Sequence, residues 1–146
     1  MSGNLVGHSA WDAAKVLVGT RFRLQGRDPA TGLDCIGVVL AAYVAAEVKL
    51  AALDDYPLRG TALVDALAAI DTSGLTRRES AAATGDVALY ALPAGQLHVA
   101  LLGLASLIHA DAALRRVVEA PLARLPAPLA CWHWTMKDGK PWQHWC

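Results

Sequence analysis

The chain changes character halfway along, and that change constrains its fold more than any other feature. Up to about residue 72, apolar residues recur in long segments at helical spacing. From Val87 onward they come in short runs, Val87–Leu92, Leu97–Leu102, Ser106–His109, Arg116–Glu119 and Leu129–Thr135. Pro93-Ala94-Gly95, Gly103, Asp111–Arg115 and Pro121–Pro128 separate them, so each run has the length and the boundaries of a strand. Strands at spacings near ten residues predict an antiparallel meander. Helices first and strands afterwards is the order of an α+β domain, with helices on one face of a single sheet. No internal repeat or linker interrupts the chain, so residues 1–146 read as one domain.

Within the first half, Ser9 and Asp12 fit a capping box, and Trp11, Ala14 and Val18 continue it as a short helix ending near Gly19. Thr20 to Leu33 is a polar loop broken by Gly26, Pro29 and Gly32. Asp34-Cys35 opens an apolar segment running to about Leu53, which predicts a helix of roughly five turns ended by Asp54-Asp55-Tyr56-Pro57. A third helix is expected from Thr61 to Ile70, capped by Thr61.

Composition narrows the class. Lys+Arg and Asp+Glu both count 13, and this zero balance argues against a nucleic-acid binder or a polybasic membrane anchor. Hydrophobic residues make up 55% and charged ones 18%, which excludes disorder and supplies a sizeable core. The most apolar stretch, Ile36 to Leu53, carries Glu47 and Lys49, whereas a span needs about 20 nearly uncharged residues. A buried core helix is expected there. The start, Met-Ser-Gly-Asn-Leu-Val-Gly-His, lacks the pattern of a secretory signal, so a cytoplasmic protein, or one carried out by another route, is expected. Cys35, Cys131 and Cys146 are irregularly spaced with no Cys-x-x-Cys pair, which suits reduced thiols and neither a disulfide scaffold nor a structural zinc site.

One constellation carries chemistry. Asp34-Cys35-Ile36-Gly37 stands at an expected helix N-terminus, where free amides and the helix dipole favour a thiolate, the reactive form of cysteine. His98 and His109 lie on neighbouring expected strands, eleven residues apart, a spacing that suits facing positions in a hairpin around Gly103. A cysteine, a histidine to hold its proton and a third polar group to orient that histidine are the parts of nucleophilic catalysis.

These residues also resemble a known family. Gly19-Thr20-Arg21-Phe22-Arg23-Leu24-Gln25-Gly26 followed by Gly32-Leu33-Asp34-Cys35-Ile36-Gly37-Val38-Val39 is similar to the nucleophile region of the NlpC cell-wall cysteine peptidases. Gly85-Asp86-Val87-Ala88-Leu89-Tyr90 looks like the family's Gly-Asp strand, Leu97-His98-Val99-Ala100-Leu101 like its histidine strand, and Ile108-His109-Ala110 like the segment with its third catalytic residue. The four motifs run in order from about residue 10 to about 120. The resemblance implies a papain-like fold, with N-terminal helices on a mostly antiparallel sheet of about five or six strands. It implies hydrolysis of amide bonds in peptidoglycan stem peptides, with no metal or organic cofactor. Cys35 would be the nucleophile, His98 the base and acid, and His109 the group orienting His98. The Cys35 amide would help hold the oxyanion.

The match departs from the family in places. Many members carry Tyr-x-Trp-Gly-Gly where this chain has Phe22-Arg23-Leu24-Gln25-Gly26, so the tyrosine hydroxyl is missing and Gln25 is the candidate oxyanion donor. Ile36 replaces a commoner serine. Both features look more like the phage and prophage branch, for which a tail or tail-like particle would be the partner that delivers the protein to the wall. A related thiol amidase or acyltransferase, or an inactive tail-assembly domain, are the alternatives.

Three further features need a reading. Trp132 and Trp134 alternate on one expected strand and, with Trp142, Trp145, His133 and His144, could form an aromatic platform; packing of the first two onto a helix is the expectation. His133 and His144 have no acidic pair nearby and predict no metal site. Cys131 is expected to be buried in a strand and Cys146 incidental. Arg21, Arg23 and Arg27 could meet substrate carboxylates or form a solvated loop face.

Overall fold

The computed structural model describes residues 2–51, 53, 56–58 and 60–135. Helices α1 (Ser2–Leu17), α2 (Cys35–Ala45) and α3 (Leu63–Asp71) precede most of the sheet. Strands β1 (Arg27–Asp28) and β2 (Gly32–Leu33) form a small hairpin in the loop before α2. The main sheet contains β3 (Leu75–Arg77), β4 (Val87–Leu92), β5 (Gln96–Leu102), β6 (Ser106–Asp111), β7 (Arg116–Pro121) and β8 (Ala130–Trp134). Its order is β3-β8-β4-β5-β6-β7, and every pairing is antiparallel. The expected α+β class and strand count are therefore met; four of the five expected runs, β4–β7, form the meander, whereas the fifth, β8, crosses back to lie between β3 and β4.

Helix α2 is the pivot. It is hydrophobic nearly all round, and Ile36, Val38, Val39, Ala42 and Tyr43 are buried between α1 and strands β5 and β6. The Tyr43 hydroxyl donates to the Gly85 carbonyl at 2.5 Å, which ties the helix to the start of β4. Gly103 lies so close to the Trp11 ring that a side chain there would collide with it, so α1 rests directly on the β5–β6 turn.

Several boundaries differ from expectation. α1 begins at Ser2, and Ser9 is an exposed residue within it rather than its cap. Gly7 sits against the backbone of Thr84 and Gly85 with no room for a Cβ, so packing accounts for glycine inside this helix. α2 stops at Ala45, two turns short of the sequence expectation. The Glu47 amide bonds to Val44 O and the Val48 amide to Tyr43 O, both at 2.8 Å, around Glu47 at φ +66°. That is a Schellman closure without the usual glycine. Asp54 and Asp55, the expected stop, lie outside the described residues. α3 is capped by the backbone of Ala62 with no side-chain cap, because the Thr61 hydroxyl bonds to Pro57 O. β3 and the β1–β2 hairpin were not anticipated.

On β8, Trp132 is fully buried. Its indole N–H donates to Asp71 of α3 at 2.7 Å, and the Arg77 guanidinium lies 5.3 Å from its ring centre. Trp134 packs on the same core. These two tryptophans are structural, as expected, while Trp142, Trp145, His144 and Cys146 lie outside the described residues. Cys131 is only half-buried, on the opposite face of the sheet beside Tyr90 and Leu102.

Candidate active site

Asp34 starts α2. Its backbone is extended and its carboxylate accepts the Gly37 amide at 2.8 Å, a cap worth about 1 kcal/mol. Cys35 is thus the first helical residue. The preceding loop is bound to the same carboxylate: Gln25 N–H donates to it at 3.1 Å and Arg27 Nη1 at 2.7 Å. Arg27 also reaches the carbonyls of Gly26 (3.1 Å) and Tyr56 (3.4 Å). Gly37 and Gly26 have no Cβ to hold loop and helix apart, which is what lets them touch.

His98 comes from the other side, on β5. Its Nε2 lies 2.7 Å from His109 Nδ1 on β6, and the rings meet edge-on at 84° with centres 4.9 Å apart. The two do not face each other as their spacing suggested. The β5–β6 ladder pairs Leu101 with Ile108 and Leu102 with Leu107, two residues off the register that would oppose the histidines. They meet as diagonal neighbours, within reach of ring side chains. The same register, continued, aligns Asp111 with His98.

Cys35, His98, Gln25 and Asp111 line one cleft of about 580 Å³. Phe22, Leu24, Pro57, Leu58, Leu92 and Leu97 make its walls largely apolar. Cys35 keeps part of its surface open to the cleft, yet protein atoms crowd its sulfur, and burial pushes the thiol up to about 12. The amides of Val99 and Ile36 act against that by favouring the thiolate, the Asp34 charge adds to it, and Arg27 partly cancels Asp34. Burial also pushes His98 down to about 4, helped by His109; Asp111 opposes the shift. His109 is lowered by burial and likewise held up by Asp111. Burial thus disfavours the charged forms of Cys35 and His98 and opposes the thiolate that a helix N-terminus favours.

The structure thus brings Cys35, His98 and Gln25 to one cleft and hydrogen-bonds His109 to His98. Gln25 is exposed, with its backbone at φ +58°. Of the three loop arginines, Arg27 turns inward to Asp34, while Arg21 and Arg23 are exposed. Sequence reasoning passed over Asp111 and the Arg27–Asp34 pair. Asp111 could have been noticed two residues after His109, on the same strand face. Nothing in a loop sequence signals that Arg27 reaches Asp34. Among the described residues no cluster of His, Cys, Asp or Glu could hold a metal ion, and no helix is long and apolar enough to cross a membrane.

No family model matches the sequence, and no curated protein matches it. Solved structures do. The chain is similar to the NlpC/p60 domain of the peptidoglycan hydrolase SagA, with 25% identity and a TM-score of 0.59, over 86% of this chain and 97% of that one. It is similar to NlpC2 from Trichomonas vaginalis, with 18% identity and a TM-score of 0.65, over 87% of this chain and 46% of that one. An NlpC/P60 family protein from Bacillus cereus ATCC 10987 shares 19% identity with a TM-score of 0.62, over 86% of this chain and 39% of that one. The chain spans less than half the length of these last two. The fold is the papain-like fold of NlpC/p60 domains.

Proposed function

We propose that the protein is a cysteine peptidase that hydrolyses amide bonds in peptidoglycan stem peptides. The observation that carries this reading is the meeting, at one apolar cleft, of a cysteine on a helix N-terminus with a histidine hydrogen-bonded to a second histidine. SagA, similar over 97% of its NlpC/p60 domain, is a peptidoglycan hydrolase and supports the substrate class.

The roles follow from the hydrogen bonds. If His98 Nε2–H donates to His109 Nδ1, His98 Nδ1 is left unprotonated and free to accept the thiol proton. Cys35 Sγ attacks the scissile carbonyl as His98 takes that proton, and the oxyanion forms near the Cys35 amide and the Gln25 side chain. The C–N bond breaks, and the leaving amine takes the proton from His98. Water then attacks the thioester, again giving a proton to His98, and the freed carboxylic acid leaves as Cys35 regains its hydrogen. His98 is then a general base acting during attack. His109 is a positioning residue that selects the tautomer of His98. The Gln25-Gly26 loop and Ile36 support the phage and prophage branch, and with it delivery by a tail or tail-like particle.

Purified protein incubated with peptidoglycan, with soluble products identified by mass spectrometry, tests the reading. Fragments with new amine and carboxylate ends are expected from the wild type and none from Cys35→Ala or His98→Ala. Release by Cys35→Ala at the wild-type rate would overturn it.

A further inference from the structure

We infer that Arg21, Arg23, Arg115 and Arg116 form an anion-binding rim beside the cleft that docks a polymer bearing repeated carboxylates. This rests on the peptidoglycan reading and adds a second contact, outside the cleft, for the same substrate.

Backbone pairing brings Arg21, Arg115 and Arg116 together, and Arg23 follows two residues after Arg21. Arg21 and Arg116 form an isolated antiparallel bridge, the Phe22 amide bonds to Arg115 O at 3.0 Å, and the Val117 amide bonds to Thr20 O at 2.8 Å. All four are exposed. Phe22 and Leu24 line the cleft, and Arg21 and Arg23 beside them are exposed. Ala112 and Ala113, in the turn that leads to Arg115, line the cleft as well. The rim and the cleft are built on the same pair of segments.

Two local choices here are unfavourable for folding alone. Like charges directly opposite in a bridge repel. Arg115 holds φ +63°, a left-handed conformation in which an L side chain is strained. Both are accommodated by the β6–β7 hairpin, in which Asp111 stands opposite Arg116 and the left-handed Arg115 closes the turn with its amide on Asp111 O. Among the described residues no carboxylate pairs with any of the four. The nearby acids are engaged: Asp111 holds the amides of Ala113 and Leu114, and Glu119 takes the Ser106 hydroxyl and Lys15. In a chain whose charges sum to zero, this patch is a local segregation of positive charge. Exposed guanidiniums gathered beside an apolar cleft, with no ion-pair partner among the described residues, offer an anionic ligand a place to dock.

Guanidinium forks match carboxylates two bonds at a time, and several side by side favour a polyvalent partner over a small ion. Stem peptides supply both the amide for the cleft and carboxylates for the rim. A phosphodiester polymer would offer the rim charge but give the cleft nothing to cut.

Cosedimentation with insoluble peptidoglycan, using Cys35→Ala protein so that nothing is cleaved, tests the rim. Binding should weaken with added salt, fall about tenfold in the Arg21→Gln/Arg23→Gln/Arg115→Gln/Arg116→Gln variant and fall similarly when the peptidoglycan carboxylates are amidated. With Cys35 restored, the rim variant should cleave a short soluble stem peptide at the wild-type rate while its KM on intact peptidoglycan rises. An unchanged thermal melt would show the variant folded. Equal sedimentation of variant and parent, equal binding of amidated material, or stronger competition by polyphosphate or duplex DNA than by soluble acidic muropeptides would each overturn the proposal. Rim-dependent binding without any cleavage by the wild type would keep the rim and remove the peptidase reading. Cleavage without rim-dependent binding would do the reverse.

Discussion

The two ends of α2 are held in different ways. At the N-terminus side chains do the work: Asp34 caps the helix, Arg27 neutralises Asp34, and the Gln25 amide joins them. At the C-terminus the backbone turns alone, through Glu47 in a left-handed conformation with no glycine to ease it. The first arrangement positions Cys35 and leaves little freedom. The second only ends a helix, and a strained residue is tolerated there because nothing chemical depends on it.

The sharpest way to break this contrast is through the chemistry at the first end. His98→Ala should lower kcat on a stem-peptide substrate by about 10²–10⁴-fold, the range for a lost general base. His109→Ala should cost less, and should also alter the pH profile because the tautomer of His98 is no longer selected. A His98→Ala enzyme at full rate would detach the mechanism from this end of the helix.

Asp34→Ala removes the cap and the carboxylate that Arg27 meets, so a loss of about 1–3 kcal/mol is expected in urea unfolding. In the double variant with Arg27→Met the losses should not add, because the two side chains share one ion pair. Strictly additive losses would show that the two side chains act independently.

Protonation gives a third test. His98 and His109 have folded pKa values below the unfolded value of 6.5, to about 4 for His98. The unfolded chain therefore binds protons first, and stability should fall as pH drops from about 6.5 toward about 4. Cys35 runs the opposite way. Its thiol is raised from 9.0 to about 12, so the unfolded thiol ionises first and stability should fall as pH rises above 9. Urea midpoints across pH should flatten in the acid window for His98→Asn and in the alkaline window for Cys35→Ala. By the same shifts, iodoacetamide should label Cys35 slowly at neutral pH.

The smallest effect belongs to the far end. Glu47→Gly should raise stability by about 0.5–1 kcal/mol by relieving the positive φ, with kcat unchanged. A fall in kcat would mean that the two ends are coupled through the helix.

Much of this organisation is legible in the residues. Val87–Leu92 is both the apolar run and strand β4, because Pro93 and Gly95 mark its end. β3 was missed because three residues are too few to show a period, and the β1–β2 hairpin because two are fewer still. The end of α2 was misplaced because Glu47 is not a turn former and Val48 and Leu50 keep the apolar pattern going. In the site, Cys35, His98 and His109 could be singled out by chemical type and order, but not the diagonal meeting of the histidines, which depends on a two-residue choice of register.

Sequence alone determined the α+β class, the cap that puts Cys35 at a helix start and the strands that carry the histidines. Those properties come from side-chain type and spacing along a few consecutive residues. Tertiary structure alone decided that Arg27 meets Asp34, that burial disfavours the charged thiol and imidazoles, that Asp111 faces the histidines and that Arg21 pairs with Arg116. These depend on burial and on distances between residues far apart in the chain, and electrostatic energies follow distance and surroundings rather than sequence order.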